Sequence, residues 1–120
     1  MLPLPALAAT HAGIWIADRE GVVRAVGRSE AIRQAAETPH LVLNAPLVGQ
    51  RLGTPDLSGL DLLELFAFLH PARFAVPTVA GMCRAVGIAV PGDEASGVAA
   101  LRPIAEALLA ATGEDRKSVV

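Results

Sequence analysis

The chain reads as an α/β domain: a small mixed sheet, made of a hairpin and one further strand, covered by helices. Three observations predict this. Two short β-rich runs, Gly13 to Ala17 and Val22 to Val26, flank the turn-like cluster Asp18-Arg19-Glu20-Gly21. An apolar run at His40 to Asn44 is bounded by turn residues, the pattern of a strand covered on both faces. Helical stretches then follow, and the order hairpin, helix, strand, three helices belongs to an α/β arrangement and not to a bundle.

Taken in order, Met1 to Thr10 is a Pro/Ala leader with no period. After the hairpin, Ser29 is expected to cap a helix running to about Glu37, with Ala31, Ile32, Ala35 and Ala36 inward and Pro39 ending it. Gln50-Arg51-Leu52 reads as a short turn beyond the strand. Leu60 to Leu69 is apolar nearly all round, apart from Asp61 and Glu64, which predicts a central, buried helix with both acids on one face. Pro71 stops it. Pro77 and Thr78 open the next helix, to about Val86, with Gly87 as its C-cap. Asp93 or Ser96 starts a last helix to about Thr112. Val98, Leu101, Ala105, Leu108 and Leu109 form its apolar stripe, and Arg102 pairs with Glu106 outside. Pro103 is expected to kink that helix or to mark its true start.

Composition bounds the function classes. At 120 residues the chain holds one domain, assigned to 1–112, and 52% apolar residues exclude a disordered chain. No apolar run approaches the roughly 18 residues of a bilayer span, and the Pro-broken start lacks the basic region of a signal peptide. Cys83 is the only cysteine, so it is expected to be a buried small hydrophobe. The cytoplasm fits these features, with no membrane partner. The formal net charge is −2 and the charges are dispersed, so the basic stripe of a dedicated nucleic-acid binder is absent from the sequence. Every basic residue except Lys117 is an arginine and tyrosine is absent, a bias that points to a GC-rich bacterial genome. The stretch 113–120 breaks this pattern and holds the only lysine. It is expected to be a non-native or truncated tail, which a natural stop codon directly after Val120 would contradict.

A resemblance enters at Leu43-Asn44-Ala45-Pro46-Leu47-Val48, followed by Asp61-Leu62-Leu63-Glu64-Leu65, Pro71 and Gly87-Ile88. This succession resembles the second half of a DnaQ-type 3′–5′ exonuclease domain, an RNase H-like fold. There a strand ends in His-Asn-x-x-x-Asp, and a Asp-Thr-x-x-Leu helix, a Pro and a Leu-x-x-Leu-x-x-x-x-Gly-Ile helix follow. Asn44 matches, whereas Leu43 stands for the His and Val48 for the metal-binding Asp. The final family motif, a His or Tyr followed by Asp, falls on 94–100, where Ala100 sits near the place of the acid. Two-metal hydrolysis needs several carboxylates converging on cations about 4 Å apart, and hard cations need those oxygen ligands. The resemblance therefore implies a degenerate, metal-free domain.

The weak catalytic candidates are Asp18, Glu20 and Asp61. Asp18-Arg19-Glu20 has the Asp-x-Glu spacing of the first exonuclease motif, but Gly21 and Val22 begin a return strand at once, so a hairpin turn is the expected role. Under that reading the acid-bearing first strand of the ancestral sheet is lost. Asp61 and Glu64 have the makings of an acid/base pair, yet carboxylates at a helix start are expected to cap its amides. His11, His40 and His70 lack ligand spacing. Arg51, Arg73 and Arg84 are the candidate phosphate contacts, with nothing to place them on one face. No ATP-binding P-loop occurs in the sequence.

A second resemblance rests on His11 to Ala17, Leu43 to Gly53 and Asp56 to Leu65. Together these stretches resemble the N-terminal region of alphaproteobacterial DinG-like ATP-dependent DNA helicases, in which an exonuclease domain, active or degenerate, precedes the motor. The resemblance implies a non-catalytic accessory domain with no cofactor of its own, ATP and Mg belonging to the parent helicase. Its partners would be the motor of the same polypeptide and single-stranded DNA. Two alternatives stay open: an active metal-dependent exonuclease using Asp18, Glu20 and Asp61, and a stand-alone binding or regulatory domain.

Overall fold

The computed structural model describes residues 4–54, 57 and 59–119. Met1 to Pro3 of the leader, Asp56 and Ser58 of the quoted stretches, and Val120 of the tail lie outside them.

The described residues form five strands and five helices, in the order β1 (Ala6–Ala9), β2 (Ile14–Ala17), β3 (Val23–Ala25), α1 (Arg28–Glu37), β4 (His40–Val42), α2 (Ala45–Leu52), β5 (Gly59–Asp61), α3 (Leu62–Leu69), α4 (Val79–Val86) and α5 (Glu94–Val119). The sheet order is β3-β2-β1-β4-β5. β2 pairs antiparallel with β1 and β3, whereas β1, β4 and β5 run parallel. The α/β class and the hairpin hold. The sheet, however, gains two strands beyond the expected three.

The larger correction concerns the leader. Residues 6–9 are no leader but the central strand, tied to β2 through Ala6 opposite Ala17 and to β4 through Ala6 opposite Leu41. Its side chains alternate between faces as a strand requires. Leu7 and Ala9 enter a core with Ile16, Ala31, Ala35, Val42, Val48 and Leu52, under α1 and α2. Ala6 enters the opposite core with Leu41, Leu62, Phe66, Met82 and the inner face of α5. An Ala-rich run carries little alternating hydrophobicity, which hid the strand in the sequence. Small side chains suit the place, since α5 crosses β1 on that face.

The helices follow their local chemistry with five departures. Ser29 lies inside α1, whose N-cap is Gly27 with no side-chain cap bond. Gln50, Arg51 and Leu52 are not a turn but the last residues of α2, which Asn44 caps through Oδ1 to the Leu47 amide, with Pro46 in its first turn. α3 is not buried all round: only Leu62 and Phe66 are buried, and Phe68 is 82% exposed. α5 runs through Pro103 to Val119, so Pro103 does not mark its start. Asp93 caps α5, its Oδ1 accepting from the Ser96 amide at 2.7 Å. On the inner face of α5, Ile104 replaces Leu109, which is 40% exposed.

Arg102 does not pair with Glu106. Its guanidinium donates to the carbonyls of Leu4 (2.9 Å), Asp18 (3.1 Å) and Arg19. A planar fork with several donors suits three converging carbonyls better than one carboxylate. It fixes the entry to β1 and the hairpin turn against α5.

α4 behaves as the sequence predicts, with Thr78 accepting from the Gly81 amide and Gly87 closing the helix in the left-handed region at φ 78°. Gly81 is required for a different reason. A Cβ there would stand 2.3 Å from the Val76 carbonyl oxygen and 2.6 Å from Val76 Cβ, whereas one at Gly92 would meet open space. Gly81→Ala is therefore expected to lower stability by about 1–3 kcal/mol through forced backbone movement. Gly92→Ala serves as the control, expected within about 0.5 kcal/mol of the parent in the same urea-denaturation measurement.

Candidate functional site

The parallel strands β1, β4 and β5 place their carboxyl ends on one side of the sheet. The chain leaves β1 in one direction toward β2, and enters β4 on its other flank. A crevice forms at such a reversal, which is where ligands of open α/β sheets bind. Here it is a cleft of about 450 Å³ between the end of β1, α2, and the starts of α4 and α5. Its walls are mostly apolar: Leu43, Leu47, Val48, Val79, Val90 and Leu101. Thr10, His11, Asn44, Arg51, Thr78 and Asp93 supply the polar groups, and Asp93 is the one carboxylate among the described residues lining it.

Four of these polar groups have structural work. Asn44 sits at φ 67°, ψ 72°, a left-handed conformation that asparagine tolerates better than most residues, and caps α2. Arg51 donates to the Ala9 carbonyl at 3.0 Å, joining α2 to the end of β1. Thr78 and Asp93 cap α4 and α5. The backbone N–H of Ser96 holds the Asp93 carboxyl below the usual carboxylate range. The cleft thus offers an apolar hollow whose rim residues Asn44, Arg51, Thr78 and Asp93 serve the fold.

Val48 is buried on α2, with its side chain packed among Leu7, Val42 and Leu52. Leu43, in the place of the resemblance's histidine, is half-buried against the other core. On α5 the residues facing the cleft are Gly97, Val98 and Leu101, and not Ala100. None of these side chains can hold a cation.

Asp61 is the acid that the structure uses most. It ends β5, caps α3, and is only 6% exposed. Its Oδ1 accepts from the Asn44 amide (2.9 Å) and the Leu63 amide (3.0 Å), and its Oδ2 from the Ala45 amide (2.8 Å). The capping role expected from its place at a helix start is present, and it extends to a second helix. Glu64 is exposed in the first turn of α3, so the two acids do not share an environment.

Asp18 and Glu20 lie elsewhere. The Asp18 Oδ1 accepts from the Glu20 amide (3.0 Å) and the Val22 amide (2.9 Å), and the Gly21 amide donates to the Asp18 carbonyl (2.9 Å). This is the hairpin turn that the spacing predicts. Three strand spacings separate β2 from β5, roughly 14 Å at about 4.8 Å each. Asp18, moreover, leaves β2 beside the amino end of β1, whereas Asp61 sits at a carboxyl end. The structure does not bring Asp18, Glu20 and Asp61 together. Among the described residues no group of three His, Cys, Asp or Glu side chains is placed to hold a metal ion.

The histidines are likewise apart. His40 is 1% exposed on β4, and its Nδ1 donates to the Thr38 carbonyl at 2.7 Å. Its Nε2 has no partner among the described residues, and burial pushes the imidazole pKa down, which favours the neutral ring. His70 stacks at a tilt on Phe66 and belongs to the α3–α4 corner, while His11 is exposed at the mouth of the cleft. Arg73 joins that same corner, 5.6 Å above the Phe66 ring and 3.1 Å from the Ala85 carbonyl. Arg51 is separate, at the cleft. The buried Cys83 fills core space, as predicted, and burial raises its thiol pKa.

No protein-family model, curated protein or solved structure matches this chain. No helix of the described residues is long and apolar enough to cross a membrane.

The Asp61 clamp yields a direct prediction. Asp61→Asn replaces one acceptor oxygen by an amide that cannot accept from a backbone N–H. It is expected to lower stability by about 2–4 kcal/mol, the scale of charge-assisted bonds lost with a buried donor left unpaired. Glu64→Gln, exposed one turn away, is expected to change stability by less than about 0.5 kcal/mol in the same denaturation experiment.

Proposed function

We propose that this chain is a non-catalytic accessory domain of exonuclease-like architecture, working beside the motor of an ATP-dependent DNA helicase in DNA repair or replication. The observation that carries the reading is the cleft at the carboxyl ends of β1 and β4. In an RNase H-like nuclease the metal-binding carboxylates would converge there. In this chain the corresponding walls are alanine, leucine and valine, and Asp93 is committed to its own helix.

The succession β1-β2-β3-α1-β4-α2-β5 and the sheet order β3-β2-β1-β4-β5 support the RNase H-like part of the reading. On that alignment the first, acid-bearing strand is retained and not lost, and it is β1, Ala6-Leu7-Ala8-Ala9, without a carboxylate. The helicase part rests on the sequence resemblance of 11–17, 43–53 and 56–65. ATP and Mg would be used by the motor, and this domain would dock on it or lie along the DNA that it handles.

The active-exonuclease alternative is disfavoured because Asp18 and Glu20 are bound into the hairpin turn, far from Asp61. The chain incubated with 5′-labelled single-stranded DNA and Mg²⁺ or Mn²⁺ is expected to release no nucleotides above a protein-free control. Divalent-ion-dependent 3′ trimming that Asp18→Ala abolishes would overturn the reading. A parent reading frame with no ATPase motifs would overturn the helicase assignment while leaving the non-catalytic one intact.

A further inference from the structure

The cleft at the carboxyl ends of β1 and β4 holds surface that the fold leaves unused. At about 450 Å³ it falls within the roughly 300–1,000 Å³ of small-molecule sites. Two of its apolar wall residues stand in solvent, Leu47 of α2 at 38% and Val90 in the α4–α5 connection at 44%. No aromatic ring of Phe, Tyr or Trp lines it among the described residues, so its apolar walls are aliphatic. The capped helix amides at its rim are taken, Leu47 by Asn44, Gly81 by Thr78 and Ser96 by Asp93. Arg51 differs. It is the one arginine or lysine among the described residues lining the cleft, and it is half-buried there. Its guanidinium donates once, from Nη1 to the Ala9 carbonyl at 3.0 Å, which sets it beside the end of β1. The ion pairs among the described residues, Arg24 with Glu30 and Arg33 with Glu37, lie elsewhere. Most of the guanidinium fork is therefore left for a ligand.

We infer that this cleft binds a small aliphatic monocarboxylate, with its head on the Arg51 guanidinium and its chain along Leu47, Val79 and Val90. A planar guanidinium matches the two oxygens of a carboxylate, and a single cation suits a single negative charge. α2 and α5 pack on opposite faces of the sheet. Asp93, at the start of α5, therefore lies across the cleft from Arg51, and its charge turns the ligand head toward α2. A peptide with a C-terminal carboxylate would bring amide groups against aliphatic walls, where an unpaired amide is costly. A plain alkyl chain suits those walls better. The inference rests on the walls of the cleft and on Arg51, and not on the helicase reading.

The test is an amide-NMR titration of the whole chain with sodium octanoate, beside octanamide and octylammonium at the same pH and ionic strength. The expected result is saturable shifts with octanoate, centred on the amides of Leu47, Val79 and Val90, and weaker binding of both other ligands. Arg51→Ala should weaken octanoate about tenfold or more, the scale of a charge-assisted hydrogen bond, and bring it level with octanamide. Arg51 also ties α2 to β1, so Leu47→Glu serves as the second variant. Leu47 is exposed in the first turn of α2, where a carboxylate favours the helix. That variant should melt like the parent and weaken octanoate about fivefold or more by like-charge repulsion. No saturable shift with octanoate, shifts confined to residues outside the cleft, equal affinity for octylammonium, or unchanged octanoate affinity in both variants would each overturn the inference. Tighter binding of the dipeptide acetyl-Leu-Val than of octanoate would overturn it in favour of a peptide terminus.

Discussion

The architecture depends on one carboxylate. Asp61 ends the last strand, and its two oxygens bind three backbone amides from two separate places, the turn from β4 into α2 and the first turn of α3. Each of those amides belongs to a helix start or its cap, where no intrahelical acceptor exists. A buried charge is tolerated only with such partners. One side chain thus holds the carboxyl ends of β4 and β5 level, aims α2 outward over one face of the sheet, and starts α3 over the other. The cleft owes its shape to this clamp, because its floor and one wall begin at Asn44.

Around that clamp the two cores divide the labour. The strands β1 and β4 alternate residues into both, so neither face of the central sheet is exposed to water. The alanines of β1 admit α5 to close range, and Arg102 of α5 returns to bind the carbonyls that lead into β1 and out of β2. Sheet and helix layer are locked from both ends. At the carboxyl ends of β1 and β4 the cleft is lined by apolar side chains and helix caps.

Much of this was legible in the residues. The hairpin at 14–25, the covered strand at His40, the Thr78 cap and the Gly87 stop each carry strong local chemistry, and each is present. The capping role of Asp61 followed from a carboxylate at a helix start. Its reach to Asn44 and Ala45 did not, since that bond spans sixteen or more residues and only the parallel pairing of β4 with β5 creates it. β1 escaped because four small residues give no contrast between faces. α2 escaped although Asn44 with Pro46 is a cap-and-first-turn signal, outweighed by Gly49 and the polar run after it. Leu60 to Leu69 reads as a buried helix because hydrophobicity alone does not distinguish a residue facing the core from one facing solvent, and Phe68 is of the second kind.

We propose that an exonuclease-like architecture persists here without metal chemistry. Thermal unfolding of the chain in a titration with Mn²⁺ tests it most directly. A site filled to a hundred times its dissociation constant stabilises the folded state by about 2.7 kcal/mol, which raises the melting temperature by roughly 10 °C in a domain of this size. The account predicts no saturable rise in melting temperature with millimolar Mn²⁺ at constant ionic strength. A saturable rise of that size, matched by stoichiometric Mn²⁺ binding in calorimetry, would contradict it.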